Sequence, residues 1–178
     1  MAKLKPPVSD IDQCIGDDSS PIILVEYGDY QCPNCGYAHP LVKRLLEEKG
    51  KRFLFAFRNF PLKEIHPAAF MAALSAESAG KQGKFWEMHD MIFENQKRLH
   101  GNSFLNFAND LELDPLQFAK DLEDCAITNK VEADFESGIR SGVNGTPTFF
   151  INGEILRYDS TYESLLAAIE KLPGTMQP

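Results

Sequence analysis

The stretch YGDYQCPNCG, residues 27–36, sets Cys32 and Cys35 two residues apart, with Pro33 directly after the first. Such a pair can hold a metal, staple a loop or exchange electrons. A zinc site ordinarily adds a second ligand pair, but the chain has no second CxxC and no HxxxH. His39, four residues past Cys35, is available as a third ligand but reads as a helix-surface histidine. A purely structural disulfide spanning so few residues at an exposed helix start is a poorer reading. Redox exchange is the favoured chemistry. Cys32 falls at or just before the first turn of a helix, where unpaired N–H groups and the positive end of the dipole favour thiolate over thiol. Cys35 lies nearly one turn on, placed to attack a mixed disulfide formed at Cys32.

Positioning that pair requires a strand before it and a helix after it. IILVEY, residues 22–27, is short, apolar and rich in β-branched residues, as a buried strand is. Pro33 suits the first helical position. Tyr37, Leu41, Val42, Leu45 and Leu46 recur at helical spacing, and Lys49-Gly50 is a credible stop. FLFAFRNF alternates as a second strand, and a single connecting helix makes the pair a parallel βαβ unit. From about 65 to 142 the text is helical. One helix is expected to end at Gly80, and another carries Phe85, Met88, Ile92 and Gln96 on one face. A short one runs from Asn102 to Leu111, one starts at Asp114-Pro115, and one spans Thr128 to Ser141. Then VNGTPTFFING leads into a strand at 148–151, a turn at Asn152-Gly153 and a returning strand EILRY. Ser160 and Glu163 form a capping box for a last helix bearing Tyr162, Leu165 and Ile169.

The 178 residues suit one domain with an insertion, and 43% hydrophobic content with 13 Phe suits a real core. The net charge of -8, without a dense basic cluster, points away from nucleic acid and anionic membranes. No apolar run is long enough to span a bilayer. MAKLKPPVSD has lysines but no apolar segment behind them, so the expected location is the cytoplasm, or the periplasm or exterior if a leader is missing from the sequence. The ends, 1–18 and 173–178, read as loosely held.

In order, LVEYGDYQCPNCG, FRNFPL with HPAA, QGKFWEMHDMIFENQ and GVNGTPTFFING resemble the DsbA-like branch of the thioredoxin superfamily, over about residues 8 to 172. The resemblance implies an α/β thioredoxin fold with a helical insertion between the second and third core strands. The discontinuous core would be 19–64 and 143–173, with 65–142 the inserted helical subdomain. It makes Cys32 the attacking and Cys35 the resolving cysteine. It makes the Thr146-Pro147 bond cis, facing the cysteines and offering the backbone at Thr146 to an extended substrate. Pro33 and Asn34 would tune the pair and meet the substrate.

Glu26 stands where the family often buries a carboxylate that moves the proton of the second cysteine. A glutamate between Val25 and Tyr27 is costly to bury as an ion and would have a raised pKa; the alternative is that it points to water at the strand end. Where many relatives have a histidine, this chain has Cys14, and neither it nor Cys125 acquires a role. His66 reads as shaping a helix start, and Trp86 and His89 as insertion core.

The implied function is a thiol–disulfide oxidoreductase acting on protein or peptide thiols and disulfides. It would need no cofactor beyond its own cysteines, no metal, and an unidentified recycling partner. Its direction stays open. The alternatives are a glutathione-using transferase or isomerase, whose relatives commonly have Ser at the position of Cys32, and a non-enzymatic polypeptide-binding module.

Overall fold

A computed structural model describes residues 3–173. Five strands form one mixed sheet: β1 Gln13–Gly16, β2 Ile23–Gly28, β3 Leu54–Asn59, β4 Thr148–Ile151 and β5 Glu154–Ile155, in the order β1-β3-β2-β4-β5. β2 and β3 are parallel, with Glu26 opposite Phe57, and the other pairs are antiparallel. Helix α1 (Pro33–Lys49) makes the crossover between β2 and β3, and α7 (Tyr162–Glu170) closes the chain. Between β3 and β4 run α2 (Ala69–Lys81), α3 (Phe85–Glu94), α4 (Ser103–Asp110), α5 (Pro115–Leu122) and α6 (Cys125–Ser141). The α/β plan with a helical insertion is the one that the motifs imply.

Both faces of the central strands are covered, which is why β2 and β3 read as near-continuous apolar runs. Alternation sends Leu24, Phe55 and Phe57 into a core shared with Val42 and Leu45 of α1, Met88 and Ile92 of α3, and Leu165 of α7. It sends Val25, Tyr27 and Ala56 to the opposite face, against Phe60 and Phe150. Glu26 shares the parity of Leu24, so it faces the side that carries the cysteines. Gly142 ends α6 in the left-handed conformation at φ 85°. Asn152 and Gly153, at φ 47° and 82°, supply the two positive angles that a tight two-residue hairpin demands.

Several local expectations are corrected. The N-terminal segment is not loose within the described residues. β1 pairs with β3, Leu4 N donates to Gly153 O at 2.8 Å, and Arg58 makes a buried two-pronged ion pair with Asp12 at 2.7 and 3.0 Å. The same guanidinium donates to the carbonyls of Pro6 and Pro7. A sequence window misses this because the partners lie 46 residues apart. The other tail, save residue 173, lies outside the described residues.

Helix α1 buries Cys35, Ala38, His39, Val42 and Leu45, whereas Tyr37 is exposed. His39 is therefore a core residue and not a surface one. Helix α2 runs through Gly80 to Lys81, and the left-handed glycine is Gly83 at φ 75°. Helix α6 starts at Cys125, because Asp124 accepts from Ala126 N and caps it three residues before the expected start. The last helix is capped by Thr161, whose hydroxyl accepts from Ser164 N; Ser160 instead sits at φ 66° in the turn before it. The returning strand is only Glu154–Ile155.

Candidate active site

Strand β2 ends at Gly28 and hands over to a three-residue loop, Asp29 to Gln31, that delivers Cys32 to the N-cap of α1. Buried Asp29 organises that loop. Its Oδ1 accepts from Gln31 N at 2.7 Å and from Cys32 N at 3.2 Å. Its Oδ2 accepts from Leu62 N at 2.8 Å and pairs with His66 Nδ1 at 2.8 Å. The side chain of Gln31 accepts from Ala68 N at 2.7 Å, so the loop is also tied to the segment leading into α2. From the other side Gln96 Nε2 donates to the carbonyls of Tyr30 and Cys32 at 2.8 and 2.9 Å. Gln96 passes so close to Gly36 that any Cβ there would collide with it. Asp29→Ala removes the acceptor of several buried donors at once and is expected to cost about 3 kcal/mol. Urea unfolding checks this; a loss under about 0.5 kcal/mol would mean that the loop holds its shape unaided.

Cys32 and Cys35 lie 4.0 Å apart as free thiols. Cys32 is 6% exposed and Cys35 0%. Cys32 is thus more covered than a bare helix start implies, because the Thr146-Pro147 loop lies against it: Cys32 Sγ donates to Thr146 O at 3.3 Å. The Thr146-Pro147 peptide bond is cis. Asp29 N donates to Cys35 Sγ at 3.4 Å.

The two thiols differ sharply in acidity. The Cys32 thiol is pulled down to about 5, first because the Cys35 thiol can donate to its sulfur, and then, against the cost of burial, by the Thr146 side chain and the N–H groups of Asn34 and Cys35 at the helix start. The Thr146 hydroxyl is buried with no hydrogen-bond partner, so it is free to serve a thiolate there. Burial pushes the Cys35 thiol well above its ordinary range, reinforced by Cys32 and Glu26. Glu26 is 3% exposed and not at a wet strand end. Burial raises its carboxyl to about 8, with the Cys32 charge adding to the shift.

A family model described as thioredoxin matches residues 9–171 of the chain. The chain belongs to the thioredoxin family. Its fold is that of the DsbA-like proteins. BdbD from Bacillus subtilis, in its oxidised form, superposes with a TM-score of 0.78 at 24% identity, over 90% of this chain and 92% of that one. The thiol-disulfide exchange protein alpha-DsbA2 from Wolbachia pipientis gives 0.82 at 22% identity, over 91% and 87%. A periplasmic thioredoxin-like protein from Salmonella enterica serovar Typhimurium gives 0.76 at 18% identity, over 90% and 89%. In sequence the chain is 40% identical over 162 residues to Na(+)/H(+) antiporter NhaA 1 of Salinispora arenicola, covering 90% of this chain and 24% of that protein. The chain thus spans about a quarter of the length of such curated relatives. No described helix is long and apolar enough to cross a membrane.

In this thioredoxin-family chain Glu26, Cys32, Cys35 and Thr146-Pro147 come together at one end of β2, and Pro33 and Asn34 form the exposed rim beside Cys32. Cys14 and Cys125 do not join them. Cys14 lies in β1, its thiol pushed up to about 11 by burial, and Cys125 is exposed at the start of α6. Sequence reasoning missed Asp29, Gln31 and Gln96. Asp29 had a local signal, an aspartate three residues before a helix cap; Gln96, 64 residues from the Cys32 carbonyl it reaches, had none. Among the described residues, the one His, Cys, Asp and Glu group with metal-ligand spacing is His39, His89 and Asp90, which includes neither cysteine.

Proposed function

We propose that this chain is a thiol–disulfide oxidoreductase that exchanges disulfides with protein or peptide thiols through Cys32 and Cys35. The observation that carries the reading is the opposite acidity of two thiols only 4.0 Å apart. Starting from the Cys32–Cys35 disulfide, a substrate thiolate attacks Cys32 Sγ. The Cys32–Cys35 bond breaks, and Cys35 leaves with the electron pair and takes up a proton. A second substrate thiolate then attacks the substrate sulfur of the mixed disulfide and expels Cys32 as a thiolate. The substrate loses two electrons and becomes a disulfide, and the enzyme becomes a dithiol. Cys32 is the better leaving group, since its thiolate is stabilised.

Glu26, buried on the cysteine side of the sheet and protonated below about 8, supplies the proton to Cys35. The backbone at Thr146, whose carbonyl is 3.3 Å from Cys32 Sγ, is where an extended peptide pairs while its sulfur is engaged. Pro33 and Asn34 border that peptide. A stabilised Cys32 thiolate favours the dithiol, so the pair acts as an oxidant. That direction suits an oxidising compartment rather than the cytosol, and a recycling partner restores the disulfide.

Thiolate absorbance against pH tests the reading in a background with Cys14 and Cys125 replaced by serine. The reduced pair should show one step at about 5 and none from Cys35 through the ordinary thiol range. Thr146→Val should move the step upward. A single step at the ordinary thiol value of about 8.5 would remove the basis for assigning Cys32 as the nucleophile.

A further inference from the structure

Two turns along α1 from Cys32, His39 meets α3. His39 and His89 are 8% and 5% exposed, and Asp90 is half-buried. One ligand atom from each of the three lies within 4.8 Å of the others. Aromatic packing accounts for the ring faces: His39 stacks on Phe93, and His89 stands edge-on to Phe57. It does not account for the nitrogens. His39 Nε2 is shut off from solvent and has no hydrogen-bond partner, although Asp90 Oδ1 is 3.4 Å away. A buried polar atom left in this way asks for an occupant.

We infer that His39, His89 and Asp90 form a binding site for a divalent first-row transition-metal cation of the zinc class, separate from the Cys32–Cys35 pair. The 3.4 Å separation of His39 Nε2 and Asp90 Oδ1 matches the edge of about 3.3 Å between two ligands around a tetrahedral ion with bonds near 2.0 Å. His89 hydrogen-bonds through Nδ1 to Tyr30 Oη at 3.0 Å. With Nδ1 as the donor, its Nε2 lone pair is free, the outer-partner arrangement that metal-bound histidines use. Asp90 is divided in the same way: Oδ1 faces His39, and Oδ2 takes Lys43 Nζ at 2.8 Å.

A cavity of about 320 Å³, walled by Val42, Phe55 and Trp86, adjoins the three side chains and leaves room for a water or a small anion as fourth ligand. Two imidazoles and one carboxylate select a transition metal over magnesium or calcium, which prefer all-oxygen sites. The ammonium of Lys43 opposes a cation and lowers the affinity. Because Tyr30 belongs to the loop that Gln96 ties to Cys32, an ion on His89 would stiffen the approach to the active site.

Cobalt(II) is the probe, added to oxidised protein with Cys125 alkylated, so that neither the redox pair nor the exposed thiol competes. One ion per chain is expected, with visible ligand-field bands and no thiolate-to-metal charge transfer. Asp90→Asn, at a half-exposed position that tolerates the change, should weaken binding at least tenfold, and Lys43→Gln should tighten it severalfold. Absence of binding, equal affinity in Asp90→Asn, or a thiolate charge-transfer band would overturn the assignment.

Discussion

Replacing Cys32 by serine is expected to reduce disulfide exchange to the uncatalysed rate, whereas replacing Cys35 should arrest the reaction half-way with the partner covalently attached. Cys35 has no exposed surface and an acidity far below that of an ordinary thiol. Alone, it offers neither access nor thiolate, so nothing remains in Cys32→Ser to make the first attack. Cys32 retains some exposure, the helix-start N–H groups and the Thr146 side chain without its neighbour. It can therefore still open a partner disulfide in Cys35→Ser. The resolving sulfur is then missing, and the mixed disulfide persists until a reductant is added. Non-reducing electrophoresis after incubation with a disulfide-bearing protein displays the adduct. If Cys32→Ser accumulates it and Cys35→Ser does not, the assignment of roles is reversed.

The second large effect is on stability. Glu26→Gln should stabilise the reduced protein by about 3 kcal/mol at pH 7 and change it little at pH 4. The folded carboxyl titrates at about 8 against 4.5 as a free group. Between those values the unfolded chain has given up the proton that the folded protein keeps. Unfolding then releases a proton, so the wild-type protein loses stability as pH rises from about 4.5 to about 8. A neutral amide of the same shape has no such penalty, and the Cys32 contribution, common to both proteins, cancels to first order in the difference. Urea midpoints at pH 4 and pH 7 measure it. A gap of the same size at both pH values would show that Glu26 is not held protonated by the fold. The same substitution should slow the release of Cys35, because the amide cannot supply its proton; single-turnover reduction of the disulfide reads that step separately.

The sequence by itself determined the placing of Cys32 and Cys35 at a helix start, the strand before them and the helix after them. Each is written in a window of a few residues: β-branched runs, Pro33 at the first helical turn, Asn152-Gly153 at the hairpin. Asp114 capping α5, with its carboxylate on Leu116 N and Gln117 N, was legible for the same reason. One local signal misled by a single residue: the capping pattern pointed to Ser160, but Ser160 takes a positive φ in the preceding turn and Thr161 caps the last helix.

What only the tertiary structure decided rests on partners distant in the chain. Arg58 pins a segment that composition alone makes look loose, because the antiparallel register of β1 and β3, with Gln13 opposite Phe57, brings Asp12 across from it. His39 is buried rather than solvated because α3 packs on that face of α1, which no periodicity within α1 reveals. The covering of Cys32 by Thr146, 114 residues away, is of the same kind. So is the depth of Glu26, held between Phe57 of β3 and Phe149 of β4, which sets its proton affinity. Local sequence specifies which atoms can react; burial and long-range hydrogen bonds, which need the whole fold, set the charge those atoms carry.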